Sequence, residues 1–384
     1  MRAQAWRWWV VALACACWAA AGGPSHADAN KPMLFAYYYI WYGTPGGALG
    51  QWSGWGHDGP SAYAPKGVNP DHAIFPPHIR DVASCAYPLA GVYDSNDQAI
   101  VRWHVRLAKA AGIDAFLVSW WGPSEHRVST VADRLLPIAA EEGFKIALFD
   151  ETPQFWSDLE AVKTQAAEHL NRFKDHPGYL RIEGKPVYAV YQVPFAPRLT
   201  VDEARGLCDH LEAHVGPVFV ILDKMRNGRL PGRDAETFVI DEEWLTLGVD
   251  AYTFYGTFSH QRLFEYKDLA YRYRDFVRLA HDAGRKALVP VHPGHNNSKL
   301  QTAPWVMPRR NGATLREYLR MADDSGADYV AVTSFNEWPE TTNVEPARTW
   351  PDPYLYLRIL AEWHGKEFVA PEPPACVARP DELE

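Results

Sequence analysis

Two glutamates three residues apart, Glu337 and Glu340, stand in the segment Asn336-Glu337-Trp338-Pro339-Glu340. Two carboxyls crowded into one cleft cannot ionise alike, because the charge of one raises the pKa of the other. Such a pair supplies an acid and a base at the same pH. An isolated Glu-x-x-Glu is ordinary surface. This one follows the apolar run 329–334, whose end would aim both side chains at a single cleft. Asp150 and Glu151 follow another apolar run, 145–149. They could bring a carboxylate across from Glu337, or cap a helix and bond locally. His292 and His295 end a third run. Two histidines without a His-Glu-x-x-His spacing are weak evidence for a metal, and hydrogen bonds to sugar hydroxyls suit them better. Tyr39, Trp41, Trp120, Trp121, Tyr191 and Tyr255 stand at or just past the ends of further runs. Sugar rings lay their C–H faces on such side chains, and their hydroxyls need carboxylate and amide partners. The combination points to a carbohydrate site of the glycoside hydrolase kind. The acidic run Asp241-Glu242-Glu243 reads as solvated surface.

These residues meet only if the runs that carry them lie side by side. Eight short apolar runs (33–39, 113–119, 145–149, 187–191, 218–222, 251–255, 287–291 and 329–334) lack polar alternation, as parallel strands covered on both faces do. Amphipathic stretches at 99–111, 131–142, 158–174, 201–214, 266–283 and 314–325 separate most of them. Gly112, Gly143, Gly216, Gly284 and Gly326 stand at or near the stretch ends, where a left-handed residue is needed. The alternation predicts an α/β fold, a single (β/α)8 TIM barrel, with its active site on the C-terminal face of the strands. A doubly wound open sheet is the alternative, but no Gly-x-Gly-x-x-Gly follows the first strand. The first βα loop, 41–95, is long and rich in Gly, Pro and Trp, which marks it as functional.

Composition narrows the class. The 384 residues are 47% hydrophobic and 22% charged, which excludes a wholly disordered chain and a disulfide-stapled mini-protein. A net charge of -9 lacks the basic footprint of a nucleic-acid binder, so no nucleic acid partner is expected. Residues 1–27 read as a signal peptide: Arg2 and Arg7, an apolar run over 8–21, then small residues at 25 and 27. The run is short for a membrane span, an uncleaved anchor being the alternative. The expected product is secreted or periplasmic, with no stable membrane span after cleavage, a barrel domain over 28–368 and a disordered Pro- and acid-rich tail over 369–384. Of its cysteines, Cys85, Cys208 and Cys376, at least one stays unpaired, and Cys85 and Cys208 read as buried free thiols.

Several of these segments carry a family resemblance. Tyr38-Tyr39-Ile40-Trp41-Tyr42-Gly43-Thr44-Pro45 resembles the opening of the endo-α-mannosidases, glycoside hydrolase family 99. Asp81-Val82-Ala83-Ser84, Tyr87-Pro88 and Gly91-Val92-Tyr93 are similar to that family's first long loop. Ser119-Trp120, the stretch from His176 to Tyr191, and Tyr252 with Tyr255 follow in order. Most specific is 333–347, where Ser334-Phe335-Asn336-Glu337-Trp338-Pro339-Glu340 resembles the family's Ser-Phe-Asn-Glu-Trp-His-Glu. The resemblance runs over about 35–363. It implies an endo-acting enzyme that retains anomeric configuration without a protein nucleophile. The substrate's axial 2-hydroxyl attacks instead, through a 1,2-anhydro sugar, one exception to the two-carboxylate scheme. By position, Glu337 would deprotonate that hydroxyl. Glu340 would protonate the leaving oxygen and then activate water. Tyr39, Trp41, Trp120, Tyr191, Tyr252, Tyr255 and His292 are the expected substrate-binding residues, with Asn336 and Trp338 beside the glutamates. No cofactor and no metal are implied, and the expected partner is a polysaccharide or oligosaccharide substrate.

Three positions depart from the family pattern. Pro339 replaces a histidine and removes a backbone N–H, Thr341 replaces a glycine, and His295 stands where the family has a tyrosine. Both glutamates remain, so the chemistry is expected to remain while the bound sugars differ. Three other readings stay open here: a glycan-binding protein that kept the barrel and lost turnover, a conventional glycosidase pairing Glu337 with Asp150 or Glu151, and a metal-dependent deacetylase.

Overall fold

A computed structural model describes residues 31–56, 67–74, 79–154, 158–192, 199–257 and 266–374. The expected signal peptide and Cys376 lie outside them. Eight parallel strands form the centre: β1 (Met33–Tyr38), β2 (Ala115–Trp120), β3 (Lys145–Asp150), β4 (Lys185–Val190), β5 (Phe219–Asp223), β6 (Ala251–Thr253), β7 (Lys286–Val291) and β8 (Tyr329–Val332). Each pairs with its sequence neighbours, and β1 pairs with β8, so the sheet closes on itself. A closed barrel leaves no strand edge exposed, and its interior is packed side chains.

Every strand is followed by helix. After β1 comes α1 (Gln98–Ala110). After β2 come α2 (Glu125–Ser129), a π-helical turn (Thr130–Leu135) and α3 (Leu136–Glu141). After β3 to β8 come α4 (Leu159–Phe173), α5 (Val201–Val215), α6 (Glu242–Leu245), α7 (Tyr266–Asp282), α8 (Ala313–Ser325) and α9 (Leu355–Trp363). The helices start where the sequence offers caps. Asp97 accepts the Ala99 and Ile100 N–H groups at the head of α1, and Thr200 with Glu203 forms a reciprocal capping box on α5. The five glycines expected to end helices all have positive φ, from 64° to 88°.

The long first loop packs by its rings. Trp55 is buried against Tyr42 at 4.3 Å between centroids, and its indole N–H donates to the Tyr93 carbonyl (2.8 Å). Gly54 has φ +70°, and a Cβ there would lie 2.8 Å from the Trp41 ring, so this position is closed to side chains and sets where Trp41 lies. Two expectations change. Cys85 is exposed, not buried, because it sits on this loop with Sγ 3.3 Å from the Ser298 hydroxyl; Cys208 is half-buried, and both are free thiols. The start of the tail runs along α1, where the Trp103 indole N–H donates to the Pro371 carbonyl (3.4 Å). Among the described residues, no helix is long and apolar enough to cross a membrane.

Candidate active site

Side chains alternate along a strand, so parity decides which residues reach the cleft. On β1 and its extension, Tyr37 and Tyr39 face inward. Tyr37 meets Phe149 and Tyr255 (4.5 and 5.0 Å between centroids), and the Tyr39 and Tyr255 hydroxyls share a hydrogen bond of 2.5 Å. Tyr191 sets its edge on Tyr255 (5.4 Å). Trp41 leans on Tyr39 at 4.6 Å and meets Trp121 edge-on at 5.7 Å. Trp41, Trp121, Tyr191 and Tyr255 are half-buried, as the rings at a cleft mouth must be.

The glutamate pair is carried by a doubled-back segment after β8. The Glu337 N–H donates to Ser334 Oγ (2.8 Å), the Thr342 N–H to the Glu337 carbonyl (3.2 Å), and the Ser334 N–H to the Thr342 carbonyl (3.0 Å). The Tyr42 hydroxyl donates to the Asn336 carbonyl (2.8 Å) and accepts the Trp338 N–H (3.0 Å). Thr341 takes φ +51°, a left-handed conformation that strains a β-branched residue where glycine would not be strained.

Glu345 anchors this segment from behind. Its Oε2 accepts the Tyr93 hydroxyl and the Trp338 indole N–H, each at 2.8 Å, and its Oε1 lies 3.2 Å from His104 Nε2. Asn336 clamps Tyr39: Oδ1 accepts the Tyr39 N–H (2.7 Å) and Nδ2 donates to its carbonyl (2.9 Å).

Burial sets the proton chemistry. Glu337 is 4% exposed, and burial holds its carboxyl well above the ordinary carboxylate range, with the Glu340 and Glu151 charges adding to the shift. The Glu340 side chain is 27% exposed, and burial raises it less, to about 7. Glu337 Oε2 and Glu340 Oε2 have no hydrogen-bond partner among the described residues. His295 Nδ1 lies 3.0 Å from the Trp305 carbonyl and its Nε2 lies 3.9 Å from Glu340 Oε2. Burial lowers His295 to about 4, so the ring is neutral and donates from Nδ1, leaving its Nε2 lone pair toward Glu340.

Glu151 is the third carboxyl of the cleft. Its Oε1 accepts the Ser119 hydroxyl at 2.5 Å, and Ser119 Oγ in turn accepts the Trp121 indole N–H (3.1 Å). Burial pushes Glu151 up to about 8, opposed by these donors and reinforced by the Asp150 and Glu340 charges. Asp150 faces away and bonds locally to the Thr152 N–H and hydroxyl (2.8 and 2.6 Å) and to the Tyr188 hydroxyl. A folded-state pKa above the unfolded value means that ionisation opposes folding. The contribution to stability is full below about pH 4.5 and is lost as pH rises toward 8. Glu151→Gln should melt with the wild type near pH 4 and progressively above it up to pH 8. Thermal melts across that range check this, and a gap that does not widen with pH refutes the account of Glu151.

The structure places four of the nine expected substrate-binding residues at the cleft: Tyr39, Trp41, Tyr191 and Tyr255. The other five pack away from those rings. Trp120 has the opposite parity from Ser119 and Trp121, and packs outward on His169 of α4 (4.9 Å). Tyr252 points into the helix layer, its hydroxyl donating to the Trp244 carbonyl. His292 is fully buried, edge-on to Tyr318 (4.9 Å), with Nε2 accepting the Thr257 N–H (3.3 Å). Asn336 and Trp338 are fully buried and spend their polar groups on Tyr39 and Glu345. Residue type did not single out Ser119 or Glu345. Parity counted back from Trp121 finds Ser119, and Glu345 lies within the motif already quoted.

Comparison with known proteins agrees with this architecture. The family model for glycosyl hydrolase family 99 matches residues 30–359. A mouse protein named glycoprotein endo-alpha-1,2-mannosidase is 23% identical over 368 residues, covering 87% of this chain and 74% of its own. A human glycoprotein endo-alpha-1,2-mannosidase-like protein is 26% identical over 368 residues, covering 86% and 74%. The solved family 99 endo-alpha-mannosidase of Bacteroides thetaiotaomicron superposes with a TM-score of 0.67 at 24% identity, covering 86% of this chain and 96% of that one. The family's pattern thus runs from the strand that carries Tyr37 to the helix that follows the two glutamates, and the chain is a glycoside hydrolase that belongs to glycosyl hydrolase family 99.

Proposed function

We propose that this hydrolase is endo-acting and retaining, and that it cleaves internal α-mannosidic bonds, or related α-bonds with an axial 2-hydroxyl, in a polysaccharide outside the cytoplasm. The observation that carries the mechanism is the glutamate pair on one bonded segment, buried unequally and close enough for both charges to act on the hydrogen-bonded Tyr39 and Tyr255 hydroxyls. The family relatives named as endo-alpha-mannosidases support the substrate class. The amino-terminal sequence supports export.

In the first step the 2-hydroxyl oxygen attacks the anomeric carbon as Glu337 takes its proton. The bond to the leaving oxygen breaks as Glu340 protonates it. In the second step Glu340 takes a proton from water, which attacks the anomeric carbon and opens the 1,2-anhydro ring, and Glu337 returns the proton to the 2-oxygen. Two inversions give net retention. In the free protein the deeper burial of Glu337 favours the proton there, whereas the reaction needs it on Glu340. A sugar between them reverses the preference: its 2-hydroxyl donates to ionised Glu337, and its glycosidic oxygen accepts from protonated Glu340. Glu151 keeps its proton at neutral pH, which suits hydroxyl binding and makes it a poor nucleophile. Trp41, Trp121, Tyr191 and Tyr255 supply the sugar-contacting rings.

Product analysis on α-mannans tests the reading: oligosaccharides rather than free mannose should appear, and NMR should show the α-anomer first. Free monosaccharide, or initial β-anomer, refutes it. Because the pair must hold one proton and Glu337 keeps its own to higher pH, kcat/KM should rise as pH climbs through about 7, where Glu340 gives up the second proton. A rate that falls through pH 7 would contradict the assignment.

A further inference from the structure

On the same face of the barrel, next along the chain from Tyr191, a cavity of about 580 Å³ opens between Gln192, the start of α5 and the segment from β5 to α6. Its volume lies in the range of small-ligand sites. Gln192 lines it and is 6% exposed, yet neither its amide nitrogen nor its amide oxygen has a partner among the described residues. A buried primary amide with no bond made is a cost that a ligand hydroxyl pair removes, one hydroxyl donating to the oxygen and one accepting from the nitrogen. Asp223 connects the cavity to the cleft: it lines the cavity, and its Oδ2 accepts the N–H of Tyr255, whose ring packs on Tyr191.

The charges on the wall say what kind of ligand fits. Arg226 is committed to Asp241 by two bonds of 2.9 and 2.7 Å, and the Lys224 ammonium lies 3.7 Å from the centre of the Trp244 ring. Asp202, Asp241 and Glu243 line the same cavity as carboxylates, while burial holds the Asp223 carboxyl well above the ordinary range and keeps it protonated. An acidic sugar would meet a surplus of carboxylates with both cations already engaged. An uncharged sugar meets hydroxyl-binding groups only.

We infer that this cavity is a further subsite of the glycan chain, holding an uncharged sugar unit away from the scissile bond, with two of its hydroxyls on the Gln192 amide. The inference rests on the proposed function, and its test is made on binding so that the two can fail separately. In the Glu340→Gln protein, where turnover is removed, calorimetry would follow neutral α-mannosides from disaccharide to pentasaccharide. Adding Gln192→Leu should weaken the longest about tenfold or more and the disaccharide by less than about twofold. The melting temperature should stay level or rise, because the change removes an unbonded amide from a buried place. An equal loss at every length, or no loss at any, overturns the subsite. Equally tight binding of a uronic-acid-bearing chain of the same length overturns its preference for an uncharged unit. If the wild type releases no product while length-dependent binding persists, only the hydrolase reading falls.

Discussion

Glu340→Gln should lower kcat/KM on a natural glycan by about 10²–10⁴-fold, and Glu337→Gln by a similar factor, the usual worth of a positioned acid or base. The two losses differ in kind, and the leaving group separates them. A phenol leaves without a proton, so in a single turnover on an aryl α-mannoside Glu340→Gln should recover most of the wild-type release. Glu337→Gln should not, because the 2-hydroxyl still needs its base. Neither variant should be destabilised at neutral pH. Both glutamates have raised pKa values from burial, and glutamine is a neutral match for the protonated form. A 2-deoxy-2-fluoro sugar gives a second check. It removes the attacking hydroxyl, so mass spectrometry should find no covalent sugar on the protein. A covalent adduct on Glu151, with Glu151→Gln as damaging as Glu337→Gln, would replace this mechanism with the conventional two-carboxylate one.

Much of the fold is legible in the sequence because parallel barrel strands are buried on both faces. The run Phe35-Ala36-Tyr37-Tyr38 needs no polar alternation, since Tyr37 packs inside the barrel and Tyr38 packs under α1. The same property hides the site. Where both faces are apolar, residue type does not tell which aromatic faces the cleft. Trp120 and Trp121 are identical in type and adjacent, yet one packs on His169 and the other meets Trp41. Tyr252 and Tyr255 divide in the same way, their separation of three residues placing them on opposite sides of the chain. Counting by twos sorts such neighbours only from a cleft-facing residue of the same strand, as Trp121 places Ser119 on its own side and Trp120 on the other. The buried roles of Asn336 and Trp338 follow from the doubled-back path of the segment, which brings Glu345 beneath Trp338 and is not written in any local pattern.

Glu345→Ala should cost about 3–5 kcal/mol of folding stability in urea denaturation, the loss expected when one partner of a buried polar cluster is removed. The side chain is fully buried, and three groups turn to it: the Tyr93 hydroxyl, the Trp338 indole N–H and His104 Nε2. Alanine leaves the Tyr93 hydroxyl and His104 Nε2 without this acceptor, and leaves the Trp338 N–H only the longer bond to the Tyr93 hydroxyl at 3.3 Å. Glu345→Gln is the informative comparison. Its amide oxygen can keep the Tyr93 and Trp338 bonds, while its NH2 would face His104 Nε2. That contact turns from repulsive to bonding if the His104 proton moves to Nδ1 and is donated to the Tyr38 hydroxyl, 3.0 Å away. Glutamine should therefore cost only about 1–2 kcal/mol, the scale of one rearranged buried hydrogen bond. Since Trp338 lies between the two glutamates in the chain, loosening its anchor should lower kcat more than it raises KM for Glu345→Gln, at temperatures where the protein is fully folded. Equal stability losses in the two variants would mean that the cluster is held by packing around Trp338 rather than by the Glu345 acceptor.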